Sequence, residues 1–278
     1  MLLKGKRLLI TGVLTPQSLA YGIAELAQSE GAEVVLTSFG RGMSLTERSA
    51  KRLDPVPDVL ELDVTNADHF KRLTEQLKAP GKPIHGILHA VAYAPEDALG
   101  GNFLNTPWES VATAFRVSAF SLKELAVAVA PLMTEGGSIV ALDFDNSRQA
   151  WPVYDWMGVC KAGMISVMRY LARDLGPKNI RVNAVASGPL VTIAAKGIPG
   201  FKQLADTWIL SAPLGWNARD RHPMVAKTVV ALLSDWFPGT TAEVVHVDGG
   251  RHAIGSPPVD IMERITAALA DDDHGPKE

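Results

Sequence analysis

The chain has 278 residues, of which 47% are apolar and 21% charged, which excludes a disordered body and allows a large core. Its formal charge of −3 is carried by the terminal Asp271, Asp272, Asp273, Lys277 and Glu278, and the neutral body offers no electrostatic footprint for nucleic acid. The single Cys160 excludes an intrachain disulfide and fits a reducing, cytoplasmic compartment; no apolar run reaches the ~18 residues of a membrane span, and MLLKGKRLLITG leads into a strand with no signal-peptide cleavage site.

In chain order, short runs rich in Val, Ile and Leu predict strands at 7–11, 33–38, 58–64, 84–92, 137–144, 180–186 and 243–250. Apolar residues on consecutive positions are what a strand buried on both faces of a parallel sheet requires. Helical spacing fills the intervals. In 18–31, Leu19, Ile23, Leu26 and Ala27 recur at three- and four-residue steps, and Gly31 closes the helix. Segment 106–133 opens with Thr106 placed as N-cap, Pro107 in the first turn and Glu109 at the capping-box position. Helices are also predicted over 156–175, ending before Gly176-Pro177, and over 223–236. The pattern predicts one α/β domain: a doubly wound, seven-stranded parallel sheet over 1–255. The Gly- and Pro-rich stretch 188–217 follows a strand at the end where such sheets bind ligands. The remainder, 256–278, reads as a tail with a mobile tip.

The first strand–helix turn, Gly12-Val13-Leu14-Thr15-Pro16-Gln17-Ser18-Leu19, suits a dinucleotide pyrophosphate. A helix N-terminus supplies amide donors and a favourable dipole, Gly12 permits close backbone approach, and Ser18 either caps the helix or bonds a phosphate. The usual G-x-G-x-x-G is absent, so an ordinary turn explains these residues equally well. At the end of the second predicted strand no acidic residue awaits a ribose 2′-hydroxyl. Phe39 can stack on adenine, and Arg41 suits either a 2′-phosphate or plain solvent. Asp63 either accepts from the adenine amino group or shapes a turn.

Tyr154 and Lys161 are seven residues apart. On one helix that is about two turns, so both share a face. A nearby ammonium is expected to lower the phenol pKa, and it can donate to ribose hydroxyls. The phenol can then donate to an oxyanion forming on a substrate. No tyrosine of the chain has Lys four residues later, the spacing used by short-chain carbonyl reductases. Histidines 85, 89, 222, 246 and 252 lack metal-ligand spacing and read as structural, so no metal is expected.

These motifs carry a resemblance. Gly12-x5-Ser18-Leu19-Ala20, Leu62-Asp63-Val64, His89-Ala90-Val91-Ala92-Tyr93, Gly136-Gly137-Ser138-Ile139-Val140, Tyr154-x6-Lys161, Arg181-Val182-Asn183, Gly188-Pro189-Leu190-Val191-Thr192 and Val247-Asp248-Gly249-Gly250 stand in matching order from about 3 to 253. The chain resembles the enoyl-[acyl-carrier-protein] reductases of type II fatty-acid synthesis, a divergent branch of the Rossmann-like short-chain dehydrogenases. The seven-residue Tyr/Lys spacing is specific to that branch. Asp143-Phe144-Asp145, Trp156-Met157, Pro213-Leu214-Gly215-Trp216-Asn217 and Ala231–Trp236 look closest to its mycobacterial members.

The resemblance implies a role for each position. Gly12, Val13, Ser18 and Leu19 would hold the pyrophosphate, and Phe39 would face the adenine with Asp63 and Val64 beside it. Ala92 would contact the adenosine side, Leu190 the carboxamide and Thr192 the phosphates. Lys161 would bind the nicotinamide ribose, Tyr154 would donate to the thioester oxygen, and Phe144 would stand next to the substrate. Apart from the resemblance, the apolar Tyr93, Met157, Ile193, Ile198, Phe201 and Trp208, together with Leu204 and Ile209, read as the lining of an acyl pocket, although a loop helix packing on the body explains any single one of them equally well. NADH is the expected cofactor, with NADPH as the alternative. The expected partners are acyl-carrier protein bearing the enoyl chain, or enoyl-CoA, and further copies of the chain in a homotetramer through helices 106–133 and 156–175; membrane and nucleic acid are not expected. Ala90, Ala92 and Cys160 replace the more familiar Ser, Gly and Ala. Loop 193–212 is shorter than in the mycobacterial members, which points away from very long acyl chains. Two other readings compete: another short-chain reductase acting on a carbonyl or enoyl-CoA, and a silent dinucleotide-binding regulator.

Overall fold

A computed structural model describes residues 1–144, 149–198, 200–256 and 259–263. Its strands are β1 (Arg7–Ile10), β2 (Glu33–Ser38), β3 (Asp58–Glu61), β4 (Gly86–His89), β5 (Gly137–Asp143), β6 (Ile180–Ser187) and β7 (Val244–Val247). They form one parallel sheet in the order β3-β2-β1-β4-β5-β6-β7, so the chain reverses direction across the sheet between β1 and β4. Between them run α1 (Leu19–Ser29), α2 (Met43–Ala50), α3 (Ala67–Lys78), α4 (Trp108–Phe115), α5 (Ser121–Val129), α6 (Asp155–Leu175), α7 (Ile193–Lys196), α8 (Phe201–Ser211) and α9 (His222–Leu233).

Strand alternation divides the core in two. Leu8 and Ile10 face one apolar layer with Ile23, Ala27, Val229 and Leu233, whereas Leu9 faces another with Leu73, Leu125, Ile165 and Met168. Helices therefore cover both faces, which is why central strands such as β1 and β4 are buried throughout, whereas the edge strand β3 begins and ends on exposed acids.

The predicted strands hold: β1, β3, β4, β5 and β7 are shorter than expected, β2 keeps its expected bounds, and β6 runs one residue further, to Ser187. The run 84–92 leaves the sheet after His89 because the Ala90 N–H donates to the Thr11 hydroxyl (2.9 Å). That hydroxyl also donates to Leu88 O (3.0 Å), which joins the ends of β1 and β4. Segment 106–133 is not one uniform helix: a π-helical turn, Arg116–Phe120, joins α4 to α5. Nor does Thr106 cap it. Its hydroxyl donates to Asp97 O (2.9 Å) and Asn102 O (3.0 Å), and α4 starts after Pro107. The tail expected to end in a mobile tip lies, from 264 onward, outside the described residues.

Candidate active site

A cavity of ≈ 850 Å³ opens along the carboxyl ends of β1, β2, β4, β5 and β6, where such sheets bind ligands. Its walls bring together Gly12, Val13, Ser18, Leu19, Phe39, Asp63, Val64, Ala92, Leu190 and Thr192 with Tyr93, Phe144, Tyr154, Met157, Lys161, Ile193, Ile198 and Phe201. Among the predicted site residues Trp208 is not in the wall. Its indole is 1% exposed and packs behind Phe144 (ring centroids 5.3 Å) and against Trp151 (4.8 Å). Ile209 points the other way and is 56% exposed, whereas Leu204 does reach the wall.

At one end of the cavity the donors come from the backbone. Gly12 has φ +83°, and a Cβ there would collide with Ala90 O. The loop after it is held by α2: the Thr46 hydroxyl donates to Val13 O (2.5 Å) and the Ser49 hydroxyl to Leu14 O (3.0 Å). Ser18 precedes α1 without capping it; its hydroxyl oxygen accepts from Leu14 N and Thr15 N (3.1 Å each). The first turn of α1 thus meets the cavity with no side chain over its amides and no acidic residue, the chemistry an anion needs. Asp63 shapes a turn, with its Oδ1 accepting from Thr65 N (2.8 Å) and Thr65 Oγ1 (2.7 Å), while its side chain still borders the cavity. Phe39 is half exposed at the rim, and Arg41 stands outside the wall.

At the other end the groups are buried side chains. Tyr154 sits immediately before α6, between Val153 (φ +62°) and Asp155 (φ +42°). A left-handed β-branched residue is strained, at a cost of about 1–3 kcal/mol. The strain is locked by neighbours: Asp155 accepts from Gly101 N (2.6 Å) and Asn102 N (3.0 Å), and Trp156 stacks on Phe103 (4.8 Å). Phe144 leans on the Tyr154 ring (5.3 Å). Lys161, two turns on, donates to Leu142 O (2.7 Å). The ammonium carries three N–H donors, so Leu142 leaves it capacity for cavity hydroxyls.

The electrostatics correct one expectation. Burial, reinforced by Asp143 and Cys160, holds the Tyr154 phenol well above its ordinary pKa, so it stays a neutral O–H donor instead of being drawn toward phenolate by Lys161. Burial also pulls the Lys161 ammonium down, with Asp143 and Cys160 opposing. His89 is depressed to about 3 by burial and by the Lys161 charge; it stays neutral, 2.8 Å from Ser121 Oγ. Among the described residues no group of His, Cys, Asp and Glu could hold a metal.

Sequence reasoning assigns no site role to Asp143, Thr113 or Val117, all in the wall. For Asp143 a signal exists, a lone acid ending an apolar strand. Val117 lies in the π turn between α4 and α5, which leaves no mark in apolar spacing, and Thr113 is a polar residue within α4.

The donor set therefore fits a dinucleotide: an uncapped helix end for phosphates, an aromatic rim and a buried ammonium for hydroxyls. The chain matches the family model described as enoyl-(acyl carrier protein) reductase over residues 12–252. It is 44% identical over 263 residues to an enoyl-[acyl-carrier-protein] reductase [NADH] of Mycolicibacterium smegmatis, covering 90% of this chain and 97% of that protein. A Mycobacterium avium protein of the same name is 42% identical over 262 residues, with coverage of 90% and 97%. The Bacillus subtilis FabI enzyme, also an NADH enoyl-[acyl-carrier-protein] reductase, is 36% identical over 255 residues, again with 90% and 97% covered. With its sheet, its cavity and these relatives in agreement, the chain belongs to the enoyl-(acyl-carrier-protein) reductase family.

Proposed function

We propose that this protein reduces the trans-2 double bond of enoyl chains carried on acyl-carrier protein, using NADH, in fatty-acid elongation. The observation that carries this reading is the placement of Tyr154 and Lys161, seven residues apart, in the wall of one cavity whose far end is the uncapped start of α1. Bound NADH supplies the hydride, which adds to C3 of the enoyl thioester. The first turn of α1, with Gly12, Val13, Ser18 and Leu19, holds the pyrophosphate; Phe39, Asp63, Val64 and Ala92 border the adenosine. Lys161 donates to the ribose hydroxyls, and Leu190 and Thr192 complete that side. Negative charge moves to the thioester oxygen, where the Tyr154 O–H donates. A proton added at C2 then completes the saturation. One such donor is worth roughly 3–4 kcal/mol. Phe144 steers the reacting end, while Tyr93, Met157, Ile193, Ile198 and Phe201 take the acyl chain.

NADH is preferred to NADPH because Arg41 lies outside the cavity wall. A homotetramer is supported by Trp108, Phe115, Phe120, Val159 and Tyr170, apolar residues left exposed along α4, the π turn and α6. A cytoplasmic location is supported by the one cysteine, buried as a thiol, and no described helix is long and apolar enough to cross a membrane. Residues 1–255 form the catalytic domain and 188–217 its substrate loop.

The test follows reduced-nicotinamide absorbance with a medium-chain trans-2-enoyl thioester on carrier protein or CoA, with NADH and NADPH in parallel. Rapid NADH oxidation, abolished in Tyr154→Phe, is expected. Binding without oxidation of either cofactor overturns the reading in favour of a silent regulator, and oxidation with carbonyl substrates alone in favour of a carbonyl reductase.

A further inference from the structure

An acid in this cavity is at first sight misplaced. The wall must receive a phosphate-bearing ligand and, on the proposed reading, stabilise a forming oxyanion, yet Asp143 lies in it 4% exposed. Its position is fixed by the sheet: it is the last residue of β5, in register with Ala186 of β6. The residue before it, Leu142, supplies the carbonyl that receives the Lys161 ammonium. Asp143, Tyr154 and Lys161 therefore form one cluster of buried titratable groups in a single wall, each no more than 7% exposed.

A buried ammonium without a counter-charge tends to shed its proton, because taking it out of water costs several kcal/mol. Leu142 O offers a dipole only. We propose that Asp143 is a positioning residue for this site: its carboxylate is the counter-charge that keeps Lys161 an ammonium and, by the same sign of field, keeps Tyr154 a phenol.

Both effects run in the direction the proposed chemistry needs. Lys161 must be charged to be a pure donor, and Tyr154 must hold its proton until the oxyanion forms. The field of Asp143 raises the proton affinity of both groups. Among the described residues the other titratable groups bearing on this pair are Cys160, held neutral by a thiol pKa pushed up to about 11, and His89, held neutral at about 3. Among the described residues that leaves Asp143 as the negative charge facing the pair. The inference rests on the roles given above to Tyr154 and Lys161.

The test compares Asp143→Asn and Asp143→Glu with the parent enzyme. Without the carboxylate, Tyr154 and Lys161 each release their proton at lower pH. The alkaline limb of the kcat profile in Asp143→Asn is expected to move down by about one pH unit or more, and Asp143→Glu to restore it in part. A second readout needs no turnover: in ligand-free protein, alkaline absorbance difference spectra of Asp143→Asn against Asp143→Asn/Tyr154→Phe isolate the Tyr154 phenolate, which is expected at lower pH than in the same pair built on the parent. Lower activity with an unshifted limb and unshifted phenolate overturns the counter-charge role and leaves a packing role. A fully active Tyr154→Phe enzyme would instead overturn the functional reading on which the inference stands, so the two failures are distinguishable.

Discussion

The two ends of the cavity solve different problems with different materials. Under β1 and β2 the wall is backbone: Gly12 at positive φ, a loop tied down by Thr46 and Ser49, and the open start of α1. Beyond β5 it is side chain: Tyr154 on a strained turn, Lys161 on a carbonyl, and Phe144 against the Tyr154 ring. A diffuse ligand charge is met by dipoles that many sequences can supply. On the proposed reading, a charge that exists only during reaction is met by a donor that few can supply.

Substitutions sharpen that contrast. The largest effect on turnover is expected from Tyr154→Phe, about 10²–10³-fold in kcat with NADH affinity little changed. Lys161→Met is its converse, weakening NADH binding in a fluorescence titration. If the two variants were kinetically alike, the division of labour would be wrong. Gly12→Ala should lower NADH affinity and the unfolding free energy together, the latter by at least about 1–3 kcal/mol, since a left-handed Ala there is strained and also meets Ala90 O. Denaturant melts with and without NADH read both.

A third effect depends on pH. His89 binds its proton near 6.5 when unfolded and near 3 when folded, so as pH falls the unfolded state takes up the proton first. Stability is then lost between pH 6.5 and 3, by up to about 1.4 kcal/mol per pH unit from this group. His89→Gln should flatten the acid limb of Tm against pH by one proton; an unchanged slope would place the titration elsewhere. The smallest effect is assigned to Arg41→Ala, which should leave the NADH-to-NADPH preference unchanged; a shift toward NADH would show that Arg41 does meet the 2′ position.

The contrast also explains what could be read from residues alone. Buried parallel strands announce themselves through runs such as Glu33–Ser38, and the Tyr154/Lys161 spacing still brings both groups to the cavity although Tyr154 precedes α6 on a strained turn. Residue patterns lose their meaning where one apolar face serves two surroundings. Phe201, Leu204 and Trp208 share a side of α8, but seven residues of rise carry the indole about 10 Å along the axis, out of the cavity and behind Phe144. Thr106 has the composition of a cap, yet two nearby carbonyls compete for its hydroxyl. Spacing predicts a lowered Tyr154 pKa because proximity to a cation is visible in it, whereas the burial and the carboxylate from another strand that raise it are not.

The π turn between α4 and α5 bears on how the chain tolerates change in length. Within it the Ser118 hydroxyl accepts from Tyr93 N and donates to Tyr93 O, both at 2.9 Å. Just after it, Ser121 Oγ donates to Val117 O (2.6 Å) and faces His89. A π turn accommodates one residue more than an α-helix of the same rise. Deleting any single residue of 116–120 would close the wide turn into a uniform helix and leave the two flanks close to their present orientation. Ser118 lies inside that turn, so its clasp on Tyr93 is the contact such a deletion endangers, although every apolar residue of α5 kept its helical spacing. In this short stretch the count of residues is under tighter constraint than their chemistry.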